Sequence, residues 1–178
     1  MAQPKIRFVA IAGAAALAAL LSACASTDRS APVAEAIIKP TEGNTISGYI
    51  RFYQAGQDTM RVNVQVTGLP PNSERGFHIH ENGNCSAPDA MSAGGHYNPT
   101  GHQHGKAGPQ SHVGDLPSLM ADSTGVATLI YETKNISIGT GQPSDVKGRA
   151  VVVHKDKDDF ATQPTGNSGA RIGCGVIQ

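Results

Sequence analysis

Aromatic side chains are scarce in this sequence, because tryptophan is absent and aromatic residues make up only 4% of its 178 residues. Aliphatic side chains must therefore build most of the core. A surplus of charge is also missing: 14 basic residues balance 14 acidic ones, which argues against a nucleic-acid-binding surface. A membrane-spanning run is missing too, because the apolar stretch 8–21 is shorter than the ~20 residues that a span needs. The chain length fits a single domain.

Glycine and proline are abundant, at 21 and 11 residues. So many turn formers are typical of short strands joined by turns rather than of helices. The clearest strand pattern lies in 59–69, where Met60, Val62, Val64 and Val66 share one face. Strand character is also present in 44–54, 76–81, 125–132, 148–155 and 171–177. These patterns predict an antiparallel β-sandwich or barrel.

The N-terminus has the order of an export signal. Lys5 and Arg7 precede the apolar stretch, which ends in the small residues and cysteine of "LSAC". This motif resembles the lipobox of bacterial lipoproteins, in which the signal is cleaved before a cysteine that receives a lipid. An ordinary secretory signal is the alternative, and both place the mature protein outside the cytoplasm. The lipobox predicts a lipid anchor in the cell envelope, on the periplasmic side, whereas the alternative predicts a secreted or periplasmic protein. The predicted segments are a signal peptide over 1–23, lipidated Cys24 with a flexible tether over 24–35, and a folded domain over 36–178.

Only three cysteines are present, which is an odd number for an exported protein. If Cys24 carries a lipid, Cys85 and Cys174 remain, and an oxidising compartment allows them to form a disulfide. A closed loop of that length would stabilise the fold by roughly 4 to 5 kcal/mol on chain entropy alone. Two separate free thiols are the alternative.

The stretch "GFHIHE" indicates half of a metal site. Side chains alternate along a strand, so His78 and His80 point to one side while Phe77 and Ile79 point to the other. Two imidazoles on one face of a rigid strand can bind the same ion. The other half of the site must come from elsewhere in the chain.

Most of the remaining histidines lie in or beside a long polar segment, 82–118, which has little apolar periodicity. A loop of this length in a compact domain is usually functional or held by something other than a core. Metal binding would supply that order. Imidazole suits zinc and copper, and a carboxylate joins readily at zinc. The candidate ligands here and on the later strand are His96, His104, His112, Asp115 and His154.

Five motifs together resemble the copper/zinc superoxide dismutase family: "GFHIHE", "GGHYNP", "HVGDLP", "VVVH" followed by "DD", and "GNSGARIGCGVI". The match runs in order from about residue 44 to the C-terminus, and the export signal favours the bacterial periplasmic branch. The resemblance implies an all-β fold, namely a Greek-key β-sandwich or flattened eight-stranded barrel. Two long loops, 82–118 and 155–170, would form the metal site. The implied activity is the disproportionation of superoxide anion to dioxygen and hydrogen peroxide.

The resemblance also implies a role for each site residue, with one copper and one zinc per subunit. Asp158 would link a ligand of each metal, Arg171 would receive the superoxide anion, and Cys85 would pair with Cys174. The implied copper ligands are His78, His80, His96 and His154. The implied zinc ligands are His96, His104, His112 and Asp115, so that His96 bridges the metals. His102 is left over and predicted to be solvent-exposed, and the lysines that could attract anions are Lys106, Lys155 and Lys157.

Two other functions are open at this point. A copper/zinc binding or delivery module on the same fold would need the ligands but not Arg171 beside copper. A zinc-only structural domain would not need the shared histidine, His96. Dismutase activity is favoured because every ligand position is filled and Asp158 is also present. A homodimer is compatible with the resemblance, no nucleic-acid partner is expected, and the membrane is reached only through the lipid.

Overall fold

The computed structural model describes Met1 and residues 31–178, so the predicted signal peptide, Cys24 and most of the predicted tether lie outside the described residues. No helix within the described part is long and apolar enough to cross a membrane. A short 3-10 helix, Met91–Ala93, lies in the long loop between His80 and Leu119. The strands are β1 Ala34–Pro40, β2 Ser47–Gly56, β3 Thr59–Thr67, β4 Glu74–Arg75, β5 Phe77–His80, β6 Leu119–Met120, β7 Ala127–Thr133, β8 Ala150–His154 and β9 Arg171–Val176.

Seven strands form one antiparallel sheet in the order β5-β8-β9-β1-β2-β3-β7, and β4 pairs with β6 in a separate ribbon. The sheet curls because β1 changes partner: Ala34 to Ile38 pair with β2, whereas Lys39 and Pro40 pair with β9. The connections β3 to β5 and β7 to β8 cross between the two ends of this order, as in a Greek key. The predicted all-β Greek-key architecture is confirmed.

The core lies inside the curl of the sheet. Along β3 every second residue is buried, which matches the predicted alternation. On the neighbouring β2, Phe52 lies opposite Val62 and Ile50 opposite Val64, and all four side chains are buried. Burying each such side chain contributes about 1.5–3 kcal/mol, so aliphatic packing can hold a core with few aromatics.

Strands β5 and β8 are buried along their whole length, although only one face of each meets the core. Phe77 and Ile79 of β5 belong to the main hydrophobic cluster. On the opposite face, His78 and His80 are also buried. The polar segments 81–118 and 155–170 contain no strand except for single bridges, and they cover this outer face. The two loops therefore form a site on the outer face of a rigid sheet.

A disulfide between Cys85 and Cys174 ties the first of these loops to β9, as predicted. The two residues are 89 positions apart, so the closed loop is long. On the chain-entropy account such a closure stabilises the fold by about 4–5 kcal/mol. Val152, Ala90 and Ala93 pack in the same small apolar cluster as Cys174, which shields the bond.

Strand β1 is not predicted by the alternation pattern. Its sequence, "AEAIIKP", contains two alanines and a proline, which have little strand propensity. Pairing with β2 on one side and β9 on the other holds it in place, so tertiary contacts override the weak local preference. The strand begins at Ala34, two residues inside the segment 24–35 that is predicted to be a tether.

Candidate metal centre

The loop that carries the other ligands is hydrogen-bonded to the outer edge of β5. The Ile79 amide donates to the Gly114 carbonyl at 2.8 Å, and the Tyr97 amide donates to the Ile79 carbonyl at 2.8 Å. These bonds place His96 opposite His80 and Asp115 opposite His78 as isolated β-bridges. Only glycine fits at 114, because a β-carbon there would overlap the Ile79 carbonyl.

Four histidines converge at one end of the site, each offering a ligand atom, with all four atoms within 4.8 Å of one another: His78, His80, His96 and His154. The Nε2 atoms of His80 and His154 are 3.3 Å apart. The other ring nitrogens of these two side chains lie against backbone carbonyls, 2.9 Å from Gly94 O and 3.2 Å from Gly169 O. Because a carbonyl can only accept, each Nδ1 carries the proton and each Nε2 keeps a lone pair for a metal.

A second group surrounds the carboxylate of Asp115. Its Oδ1 lies 3.1 Å from Nδ1 of His96, 2.9 Å from Nδ1 of His104 and 3.3 Å from Nδ1 of His112. Its Oδ2 accepts from the amides of Gly105 and His112, at 3.0 and 3.1 Å, so the loop backbone holds the carboxylate in place. Three imidazole nitrogens and one carboxylate oxygen are a donor set suited to zinc.

The atoms that lie within 4.8 Å of one another around Asp115 belong to His78, His96 and His104 rather than to His112. His112 nevertheless completes the second group better than His78. Its Nδ1 approaches Asp115 Oδ1 at 3.3 Å, whereas Nε2 of His78 is hydrogen-bonded to Asp158 at 2.7 Å. His78 therefore belongs to the first group and lies between the two.

Three buried ring nitrogens in the site have no hydrogen-bond partner: Nδ1 of His78, Nε2 of His96 and Nδ1 of His112. Leaving a buried polar atom unpaired costs about 1–3 kcal/mol, so such atoms call for an explanation. The free nitrogens of His78 and His96 belong to the first group, and that of His112 belongs to the second. A metal ion bound in each group would give every one of them a partner.

The carboxylate of Asp158 links the two groups by accepting a hydrogen bond from one histidine of each. Its Oδ2 accepts from Nε2 of His78 at 2.7 Å, and its Oδ1 accepts from Nε2 of His104 at 2.9 Å. The Phe160 amide also donates to Oδ1 at 2.7 Å. Asp158 is buried although the acidic and basic residues beside it, 155–157 and 159, are exposed. This single carboxylate thereby fixes the ring orientation of one ligand in each group.

Burial decides the protonation of three histidines in the first group. It lowers the pKa of His78 to about 4 and that of His154 to about 3, and it lowers the pKa of His80 as well. These rings are therefore neutral near pH 7, the form that binds metals. In the second group, burial lowers the pKa of His104, but the hydrogen bonds that the ring donates to Asp115 and Asp158 outweigh this effect and raise the pKa to about 9.

Arg171 begins β9 at the mouth of the first group. Its Nη1 donates to the Ala90 carbonyl at 2.7 Å, and its Nη2 donates to the Gly94 carbonyl at 2.6 Å. The guanidinium lines a cavity of about 290 Å³ that reaches His80 and His154. A fixed positive charge thus faces a small opening that leads to the histidines.

The structure also holds residues whose role the sequence does not predict. Gly166 lies against the Asp158–His104 hydrogen bond, where a β-carbon would overlap Asp158 Oδ1. Gly166 is the first glycine of the motif "GNSG", but nothing in the motif indicates which glycine lies against a metal ligand.

His102 is half-buried rather than solvent-exposed, because its Nδ1 donates to the Ser111 carbonyl at 3.2 Å. It belongs to neither histidine group.

Comparison with known proteins decides the family. The family model described as copper/zinc superoxide dismutase matches residues 46–177. The chain belongs to the copper/zinc superoxide dismutase family. Its relatives include a Cu-Zn superoxide dismutase of Deinococcus radiodurans, 40% identical over 92% of each chain. Superoxide dismutase [Cu-Zn] 2 of Aquifex aeolicus is 36% identical over 89% of this chain and 92% of its own.

A solved structure of a superoxide dismutase-like protein from Bacillus subtilis superposes with a TM-score of 0.71 at 34% identity, covering 79% of this chain and 95% of that one. The chain is thus a superoxide dismutase, an enzyme that converts superoxide to dioxygen and hydrogen peroxide. The metals of the family are copper and zinc, and the two groups of side chains could each hold an ion. A binding module without activity has no better support.

Proposed function

We propose that the two groups divide the family's metals between them. The first group, His78, His80, His96 and His154, would hold copper. The second, His96, His104, His112 and Asp115, would hold zinc, with His96 shared. The enzyme would then hold one redox-active and one structural ion on a single loop-covered face of the sheet.

The observation that carries this assignment is the set of atoms around Asp115. Zinc ligands at 2.0–2.1 Å in a tetrahedron lie about 3.3 Å from one another. The three imidazole nitrogens lie 2.9–3.3 Å from Asp115 Oδ1, close to that spacing. The four-histidine group has no carboxylate, and all-imidazole sites suit copper. His96 fits both, because its Nδ1 faces Asp115 while its Nε2 is buried and unpartnered on the other side of the ring.

When bound, copper supplies the one-electron redox chemistry that removes an electron from one superoxide and gives it to the next, and zinc supplies rigidity and positive charge. The protein has to admit the anion and provide protons. Arg171 attracts superoxide and orients it with a planar fork of donors. His96 Nε2, when free, can hold one of the two protons that the product peroxide requires.

Two single histidine variants test the assignment. His154→Ala should abolish copper retention and superoxide decay while zinc stays bound. His112→Ala should lose zinc and retain copper. Metal analysis by mass spectrometry and superoxide decay in a stopped-flow instrument give the two readouts.

The matched control for these variants is His102→Ala, which removes a half-buried histidine that belongs to neither group. It should keep both metals and near-normal activity. If His154→Ala lost zinc and kept copper, the assignment would be reversed. If superoxide decayed no faster with the copper-loaded native protein than in buffer, the dismutase activity would be excluded and a copper/zinc binding module would remain.

We also propose that the mature protein is anchored in the cell envelope by a lipid on Cys24 and faces the periplasm. The support is the basic, apolar and "LSAC" order of the N-terminus. A homodimer stays a prediction from the resemblance. The anchor would hold the enzyme near the membrane, with the metal-bearing domain in the oxidising space where its disulfide persists.

Replacing Cys24 by serine should abolish lipid attachment. A bacterium that expresses the full chain and is fed a labelled fatty acid should label the native protein and the Ser26→Ala control, but not Cys24→Ser. Cys24→Ser should also be found in the soluble fraction instead of the membrane fraction. A native protein that stays unlabelled and soluble in the periplasm would indicate an ordinary secretory signal instead.

A further inference from the structure

We call the cavity that Arg171 lines, and that reaches His80 and His154, the copper-side cavity. A second charged group lies in its wall. Asp89 lines it together with Arg171, His80 and His154. Among the described residues that line this cavity, Arg171 is the one arginine or lysine and Asp89 the one acid. An acid is unexpected here, because the substrate is an anion that a negative charge repels.

The carboxylate of Asp89 is held in this position by the backbone around it. Its Oδ1 accepts from the Met91 amide at 2.9 Å. The next residue, Ala90, is fully buried, and its carbonyl accepts the Arg171 Nη1 hydrogen bond at 2.7 Å. Asp89 is thus one residue away from the anchor of Arg171, on a loop that the Cys85–Cys174 disulfide ties to the same strand.

The two charges act on each other through the cavity. Burial lowers the pKa of Arg171, and the carboxylate of Asp89 acts in the opposite direction. Asp89 itself is exposed, so it faces the solvent from which anions arrive. An anion that approaches Arg171 therefore meets the attraction of one charge and the repulsion of the other.

Building on the proposed role of Arg171, we propose that Asp89 determines which anions enter, admitting superoxide and rejecting doubly charged anions such as inorganic phosphate. The reason is that an electrostatic interaction scales with the charge of the ligand. If Asp89 weakens the approach of a monoanion by a certain factor, it weakens that of a dianion by about the square of that factor. A multiply charged competitor is thereby kept from Arg171 at a modest loss of superoxide encounters.

The variant Asp89→Asn tests this selectivity, because asparagine keeps an oxygen that can accept the Met91 amide bond. The metal-loaded enzyme should decay superoxide about 2- to 5-fold faster at low salt, since about 1 kcal/mol of repulsion is removed. The affinity for azide, a monoanion, should rise by a similar factor. The affinity for phosphate should rise by about the square of it, on the order of 4- to 25-fold, at a pH where phosphate is mainly a dianion. Stopped-flow kinetics and calorimetric titration measure these changes.

The matched control is Asp58→Asn, which removes the same charge from the exposed β2–β3 turn, outside this cavity. It should change none of these quantities appreciably, and Asp89→Glu should behave like the native enzyme. Equal factors for azide and phosphate in Asp89→Asn, or an equal effect of Asp58→Asn, would overturn the proposal. If Arg171→Ala lowers the superoxide rate but Asp89→Asn changes nothing, only the selectivity fails. If neither substitution has an effect, the proposed role of Arg171 fails with it.

Discussion

Replacing Gly166 by alanine should lower zinc affinity by about 10- to 100-fold, which is the usual effect of losing a group that orients a metal ligand. A β-carbon at this position would overlap Asp158 Oδ1 and lie 2.5 Å from Nε2 of His104. The Asp158–His104 hydrogen bond must then lengthen or break. Since Asp158 also holds His78, copper retention should weaken as well. Competition with a zinc-binding dye, followed by metal analysis, measures both effects.

Gly139→Ala is the control for backbone strain. Gly139 has a φ of +68°, nearly the +65° of Gly166, but nothing lies within 4 Å of a β-carbon built there. Both variants therefore carry the cost of a left-handed alanine, about 1–2 kcal/mol, and only Gly166→Ala adds the overlap. Thermal unfolding of the metal-free proteins should show the shared cost. Equal zinc affinities in the two variants would remove Gly166 from the support of the site.

Replacing Arg171 by alanine should lower the rate of superoxide decay by at least about tenfold at low salt, and the remaining rate should depend less on ionic strength. The reason is that a fixed charge in a narrow opening raises encounter rates by roughly 10- to 1,000-fold, and salt screens this effect. Copper should be retained, because Arg171 bonds to the carbonyls of Ala90 and Gly94 rather than to a histidine. Rates measured over a range of salt concentrations, with metal analysis of the same sample, test both statements.

Arg149→Ala is the matched control for this loss. Arg149 is a second arginine tied to the same loop, because its Nη1 donates to the Glu81 carbonyl, but it lies over the Tyr97 ring outside the copper-side cavity. Its removal deletes the same charge and the same kind of loop contact. The rate and its salt dependence should stay near the native values. A loss equal to that of Arg171→Ala would mean that loop anchoring, rather than charge beside the cavity, controls the rate.

Local sequence pattern predicts six of the strands and misses β1 and the two short ribbon strands, β4 and β6. The alternation in β3 predicts its buried face because packing there depends on side chains two residues apart. Strand β1 has no such pattern, and its alanines and proline take strand geometry only because two partners lie beside it. Local sequence therefore predicts strands that carry their own apolar face and misses strands that are held by their neighbours.

The site divides in the same way. The sequence shows that His78 and His80 share a strand face, and this needs only the alternation of one strand. That His78 bonds to Asp158, 80 positions later, depends on long-range packing. The half-buried position of His102 depends on a contact with the Ser111 carbonyl that no spacing encodes.

Residue types and motifs are sufficient to indicate the chemistry of the centre, since they supply imidazoles, a carboxylate and an arginine. Long-range packing sets which nitrogen faces which partner, leaves room beside Gly166 for the Asp158–His104 bond, and places Asp89 and Arg171 in one cavity. These two sets of features differ in range. Residue type and strand alternation act over a few positions, whereas the approach of two side chains to within 3 Å is set by how distant segments pack.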